Sequence, residues 1–388
     1  MRPFPATSAT RSYIGSTPSG ASLVAQPSIL LDGRTSGADN PGLWDTAGSG
    51  TATSGTVSMD LSVGAGEYLV RQTRRRTPYF SGYPLLAELT FDSFGIEAGV
   101  LKRIGYFSSS TSAPYTAGID GFCIEMDGLT YRLKAWNNGT ITVNVPLADW
   151  EDRGIQYDFE QFSAIAFDFL WLGGAALRLW ICTAEGGWQI AAIAPFIGRK
   201  TGTMTASAQQ PLRYEIRSST GTGAMTAICC QTSVVGDVSD KGYNRLAVSS
   251  TGVSCNSIGT TYALQGSKLS ATYLEGAVEI VDYAALRGNV GNDSGMLLLL
   301  KNPTLSAPLT YAATGQVQTA YATTQTVTAL GTIVAAVPMV ATANTLVDGN
   351  YGRWMTRSIT GTPDEYVLAY RPASTNQTLY GVLTVKEH

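Results

Sequence analysis

The sequence predicts an all-β protein: two β-sandwiches behind an extended N-terminal arm. Three observations lead there. Apolar and polar residues alternate with period two through much of the chain after residue 45. Turn residues interrupt these runs at short intervals and leave almost no room for a long helix. Of the 388 residues 44% are hydrophobic and only 14% charged, with abundant Gly, Thr, Ser and Ala, a balance that favours packed sheets over disorder.

Residues 1–45 are rich in Ser, Thr, Gly, Ala and Pro. Such a segment buries too little surface to fold alone and reads as an arm, with Ile29-Leu30-Leu31 as the patch that would pin it. The first sandwich is expected over residues 46–235. Its strand runs include 67–73 and 85–91, separated by a Pro/Gly turn at 78–84. Asn138-Gly139 between the alternating runs 131–136 and 140–145 marks a hairpin, because both residues tolerate positive φ. The longest run, 162–172, places Ile165, Phe167, Phe169 and Trp171 on one face. Gly173-Gly174 then turns it into 177–182, and two adjacent strands apolar on both faces belong in the middle of a sandwich.

Residues 236–257 are rich in Gly, Ser and Asp and read as a linker. The second sandwich is expected over 258–388. Residues 267–273 and 278–281 read as strands, and Met296 to Lys301 as a fully buried strand stopped by Asn302-Pro303. Residues 332–337 fit either a strand or a short helix. The final runs, 366–370 and 379–385, read as a pair of strands around a loop at 372–377.

Composition argues against several function classes. The single histidine is His388, so the chain lacks an internal copy of the commonest neutral-pH acid, base and metal ligand. The net charge of −3 gives no basic excess for phosphates. Arg74, Arg75 and Arg76, preceded by Arg71, form the one basic cluster, which reads as a solvated strand edge or a salt-bridged contact. Five cysteines, Cys123, Cys182, Cys229, Cys230 and Cys255, show no CxxC spacing. Neither a thiolate metal site nor a disulfide framework is expected, and a reducing cytoplasm is the expected place of assembly. No apolar run is long enough to span a bilayer, and the N-terminus does not read as a secretory signal.

Candidate sites follow from residue chemistry. Exposed aromatic rings stack on sugars, and Trp136 and Trp188, beside polar turns, together with Tyr79 and Tyr83, are the candidates for carbohydrate or interface contacts. Trp171 and Trp180 sit in apolar runs and read as core. Glycoside hydrolysis needs two acids across a cleft, and Asp120, Glu125 and Asp127 lie close in sequence. Asp127-Gly128 is also an ordinary turn pair, and the turn reading outweighs the catalytic one. Asp149, Glu151 and Asp152 lack the loop spacing of a calcium motif and read as a solvated loop. A nucleophile elbow and a phosphate loop are both absent. No catalytic residue, cofactor or metal is therefore expected, and the chain reads as non-enzymatic.

Several short motifs carry a resemblance. Leu43-Trp44-Asp45-Thr46, Arg71-Gln72-Thr73, the stretch Lys102 to Phe107, the stretch Phe167 to Gly173, and Pro211 to Ile216 resemble, in this order, a family of tailed-bacteriophage virion structural proteins. Asn302 to Tyr311 and Tyr380 to Glu387 are similar to the second β module of that family. The resemblance implies a lectin-like (concanavalin-like) jelly roll followed by the second module, and a place on the outer surface of the particle. The expected role is a capsid decoration or cement protein, as a head spike or fibre. The alternative is a tail fibre or tail-associated receptor-binding protein with a carbohydrate-binding jelly roll. The expected partners are the major capsid protein or tail proteins, further copies in a homotrimer, and a host surface glycan. Neither nucleic acid nor membrane insertion is expected.

Overall fold

The structure, a computed structural model, describes residues 27–37, 42–151, 159–171, 176–183, 187–195, 202–235, 243–248, 251–287, 294–339, 346–347, 353–374 and 377–388. The protein is all-β, and its chain forms two units, Met1–Asp240 and Lys241–His388.

The first unit contains β1 (Pro27–Arg34), β2 (Trp44–Gly48), β3 (Thr51–Ser54), β4 (Met59–Val63), β5 (Tyr68–Thr73), β6 (Leu85–Asp92), β7 (Val100–Ser108) and β8 (Asp120–Met126). These are followed by β9 (Tyr131–Asn137), β10 (Thr140–Pro146), β11 (Ser163–Phe169), β12 (Leu177–Cys182), β13 (Trp188–Ala194), β14 (Leu212–Ser218) and β15 (Gly223–Val235). One sheet runs β13-β12-β11-β6-β15-β4-β3, with β1 also paired to β15. The other runs β10-β9-β8-β7-β14-β5-β2. Their inner faces share one core. Rings from both sheets meet there: Phe122 of β8 lies 4.5 Å from Phe169 and 5.2 Å from Phe167 of β11. The alternation read from 162–172 is the cause, since Ile165, Phe167 and Phe169 all turn inward. Trp171, just past the strand, packs partly against the same core. The Asn138-Gly139 hairpin joins β9 to β10, with φ of 44° and 86° at the two turn residues. The Gly173-Gly174 turn lies outside the described residues.

The arm ends earlier than expected. Residues 27–34 form β1, antiparallel to the second half of β15, and Trp44 opens β2. Half of β15 would otherwise be an open edge, and β1 closes it. Leu31 is buried and Ile29 exposed, so only part of the apolar patch does the pinning.

The second unit contains β16 (Tyr243–Val248), β17 (Val253–Cys255), β18 (Tyr262–Leu269), β19 (Val278–Arg287), β20 (Gly295–Lys301), β21 (Thr304–Leu305) and β22 (Ala312–Thr314). Then come β23 (Val317–Tyr321), β24 (Val327–Ala329), β25 (Thr332–Met339), β26 (Leu346–Val347), β27 (Arg353–Trp354), β28 (Tyr366–Pro372) and β29 (Gln377–Glu387). One sheet is ordered β16-β29-β19-β26, with β17 on β29 and β27 on β19; the other is ordered β22-β23-β18-β28-β20-β25. Both contribute to a second core, in which Leu297 to Leu300 are buried. Met296, at the start of the same strand, stays partly exposed.

Two features differ from the sequence reading, and one open alternative is resolved. The expected linker contributes β16 and β17, which pair with β29 and so belong to the second sandwich. Residues 332–337 are strand, held along β20. The two final runs do not pair with each other: β28 lies between β18 and β20, and β29 between β16 and β19. Two consecutive strands that both carry buried apolar residues are satisfied equally well across a core as side by side.

Phe122 touches three rings of the first core, Tyr106, Phe167 and Phe169. Phe122→Ala is expected to destabilise the first unit by about 3–5 kcal/mol in a denaturant melt.

Candidate functional site

The two sheets of the first unit use their outer faces differently. On the β7–β8–β9–β14 sheet the outer face is filled. The alternation that sends Ile104, Phe122 and Tyr214 inward sends Arg103, Glu125, Lys134, Arg213, Glu215 and Arg217 outward. Arg103 donates from Nε to Glu125 at 2.7 Å and from Nη1 to Glu215 at 3.0 Å. Lys134 also donates to Glu125, Arg213 reaches Glu215 at 2.7 Å, and Arg217 donates to Glu215. Glu215 is fully buried, and the Arg213, Arg103 and Arg217 guanidiniums overcome its desolvation and hold its carboxyl down at about 2.

Trp136 is part of this packed face. It is 5% exposed and clusters with Phe107, Ile119 and Cys123. Arg103 sits 5.3 Å and Lys134 5.8 Å from its ring. Gly121 lies between Phe107 and Trp136 in the ladder, with φ of 121°, and a Cβ there would meet Phe107 Cα at 2.5 Å. Trp136 therefore presents no free ring to a ligand.

The acids near Glu125 are also structural. Asp120 accepts from the Ala206 and Ser207 amides at 2.6 and 2.8 Å, from Gln210 Nε2 at 2.5 Å and from the Asn138 amide at 3.1 Å. Asp127 closes its turn by accepting from the Leu129 and Thr130 amides and from Arg132. Asp149 is exposed and Glu151 half-buried, and Asp152 lies outside the described residues. Among the described residues no three His, Cys, Asp or Glu side chains come together as a metal site. The Arg71–Arg76 cluster is largely internal as well: Arg71 donates to Thr46 Oγ1 and the Thr35 carbonyl, and Arg76 to Gln209 and Gln210. Tyr79 and Tyr83 occupy the loop before β6. Tyr79 meets Trp171 edge-on at 5.4 Å, and Tyr83 packs partly against the core.

The outer face of the other sheet is open. Register places its side chains in transverse rows. One row runs Asp32 (β1), Gln231 (β15), Glu88 (β6), Ala166 (β11), Trp180 (β12) and Ile190 (β13). In the next, Arg34, Cys229, Thr90 and Ala164 lead toward Cys182 and Trp188. Ala164 at the centre of the second row leaves a depression between taller side chains. The result is a groove of about 690 Å³, with Trp188 on one side and Asp32, Glu88, Thr90 and Gln231 on the other. Trp188 leans on the cluster of Leu86, Ala166 and Trp180, which fixes its ring while leaving it half-exposed.

Of the four aromatic candidates, only Trp188 lines this groove. Trp180, read as core, is buried, but beneath the outer face rather than between the sheets. The residues that sequence reasoning missed are Asp32, Glu88 and Gln231. Glu88 carried a readable signal, as the one charged residue in the apolar run Leu85 to Phe91. Among the described residues none of these three side chains has a hydrogen-bond or ion-pair partner, and burial alone pushes the Glu88 carboxyl up. Asp168, another acid on this face, is tied to Arg178 at 3.1 Å.

No family model and no curated protein matches the chain. Solved structures that it resembles include the carbohydrate recognition domain of Emp47p (9% identity, 56% of this chain and 100% of that one, TM-score 0.37). A legume lectin-like domain from Entamoeba histolytica is similar at 12% identity, over 55% of this chain and 98% of that one, with a TM-score of 0.34. An endo-acting O-glycanase of the human gut microbiota is similar at 10% identity, over 54% and 100%, with a TM-score of 0.39. These likenesses concern the fold alone.

The Glu215 carboxyl lies below its unfolded value of about 4.3, so it stabilises the fold above that pH and the contribution is lost as pH falls toward about 2. Glu215→Gln is expected to flatten the acid limb of a pH–stability profile. At neutral pH it should cost roughly 3–5 kcal/mol, because three cations lose their shared anion.

Proposed function

We propose that this chain is a non-catalytic structural protein of a tailed-phage particle whose first sandwich binds a surface glycan of the host. One observation carries the glycan reading: the groove joins a partly buried indole, Trp188, to a row of polar side chains, Asp32, Gln231 and Glu88, that have no partner among the described residues. Sugar rings present apolar C–H faces and a rim of hydroxyls, and this pairing of ring and polar row complements both. The virion assignment rests on the motif order described above. Within it, the groove favours the receptor-binding role, on a tail fibre or tail-associated protein, over head decoration, since a cement protein has no need of an open polar groove.

Binding without cleavage is supported by the state of the acids. Glu125 and Asp120 are committed to internal bonds, and Asp168 to Arg178.

Glycan-array binding by the purified chain tests the reading. Trp188→Ala should weaken retention at least about tenfold with little change in melting temperature, the loss expected of one stacked aromatic ring. Trp136→Ala should do the reverse, lowering the melting temperature because it opens a packed cluster. Retention of no glycan, or release of cleaved product, would overturn the proposal. Peptide counting on purified particles addresses the role. A few tens of copies, a range set by tail symmetry, fits a receptor binder, whereas hundreds fit head decoration.

A further inference from the structure

The charge of the groove narrows the class of glycan. Its Asp32–Gln231–Glu88 row holds two carboxylates on either side of one carboxamide, on three neighbouring strands. The one basic side chain lining the groove, Arg34, stands in the next row and already has an interaction of its own. Glu88 is half-buried and has no partner among the described residues. Elsewhere in this unit, buried acids are matched: Glu125 by Arg103 and Lys134, Glu215 by three arginines, Asp168 by Arg178. The groove is thus the place where the fold leaves carboxylates unneutralised beside an aromatic wall.

We infer that the groove selects a glycan bearing a free ammonium, an amino sugar without its acetyl group, over the neutral acetylated form. The inference rests on the glycan reading and deepens it. A sugar seated against Trp188 and reaching across the alanine floor brings an amino substituent to the Glu88 end of the row. There an ammonium has carboxylate acceptors on two strands and the Gln231 carboxamide oxygen between them. Desolvation, which raises the proton affinity of Glu88, is offset when a cation takes its place beside the carboxylate. An acetylated nitrogen offers one neutral N–H and adds a methyl group at the polar row.

The test compares tetramers of glucosamine and of N-acetylglucosamine by titration calorimetry on the full chain at about pH 6, where carboxylates are ionised. The amino tetramer is expected to bind at least about tenfold tighter, with the preference shrinking as salt rises. Glu88→Gln combined with Asp32→Asn should bring the two affinities to within about twofold of each other. Equal or tighter binding of the acetylated tetramer overturns this inference and leaves the glycan reading standing. A lysine tetramer bound as tightly as the amino sugar also overturns it, because the selectivity would then be for charge alone. Failure of both tetramers to bind overturns this inference; the glycan reading falls with it only if the array also retains no other glycan.

Discussion

A β-strand has two faces, and a sandwich core accepts only one of them. Much of the first unit follows from how each sheet disposes of the other face. Inward, both sheets give the same answer, a ring-rich core in which Phe122, Phe167, Phe169 and Tyr106 interlock. Outward, the answers diverge. One sheet covers itself with a ladder of alternating charge, Lys134–Glu125–Arg103–Glu215, flanked by Arg213 and Arg217. The other carries small Ala164 near its centre, and a groove opens over it.

The charged face is not a store of spare chemistry. Its carboxylates and the arginines Arg103 and Arg213 are buried, so that removing one strands the rest, and each carboxylate oxygen already has a donor. Its aromatic cluster is part of the same structure, because Trp136 lies within cation–π reach of both Arg103 and Lys134. A face built this way contributes rigidity. It leaves the opposite sheet as the surface on which ligand chemistry is available.

Strands were legible in the sequence because period-two alternation is a local property. The Asn138-Gly139 hairpin, the inward face of 163–169 and the buried leucines of β20 all follow from it. Pairing partners were not legible, because hydrogen-bond ladders join segments far apart in the chain. Residues 27–34 look like the rest of a Ser/Gly-rich arm, yet they pair with β15 some 200 residues later. The same limit separates Trp136 from Trp188. Both follow polar turns or precede them, and nothing nearby distinguishes them. Register decides: Trp136 falls beside Gly121 and Phe107 on a closed face, whereas Trp188 falls at the end of a row floored by alanine. The row Asp32–Gln231–Glu88 is likewise assembled from three distant segments and exists only once β1, β15 and β6 are aligned.

Glu88 is the point at which the fold departs from its own habit. Burial of a carboxylate is unfavourable unless cations or hydrogen-bond donors compensate, and this unit supplies them for Glu125, Glu215 and Asp120. Among the described residues it supplies none for Glu88, although β15 on one side and β11 on the other each place a side chain against it. Those neighbours are Gln231, which has no partner among the described residues, and Ala166, which is too small to reach. A donor at either position would have satisfied the carboxylate and filled the groove in one step. An acid and a carboxamide, with no partner among the described residues, and a small side chain in consecutive strands together leave the groove open and polar, the arrangement on which the proposed sugar site rests.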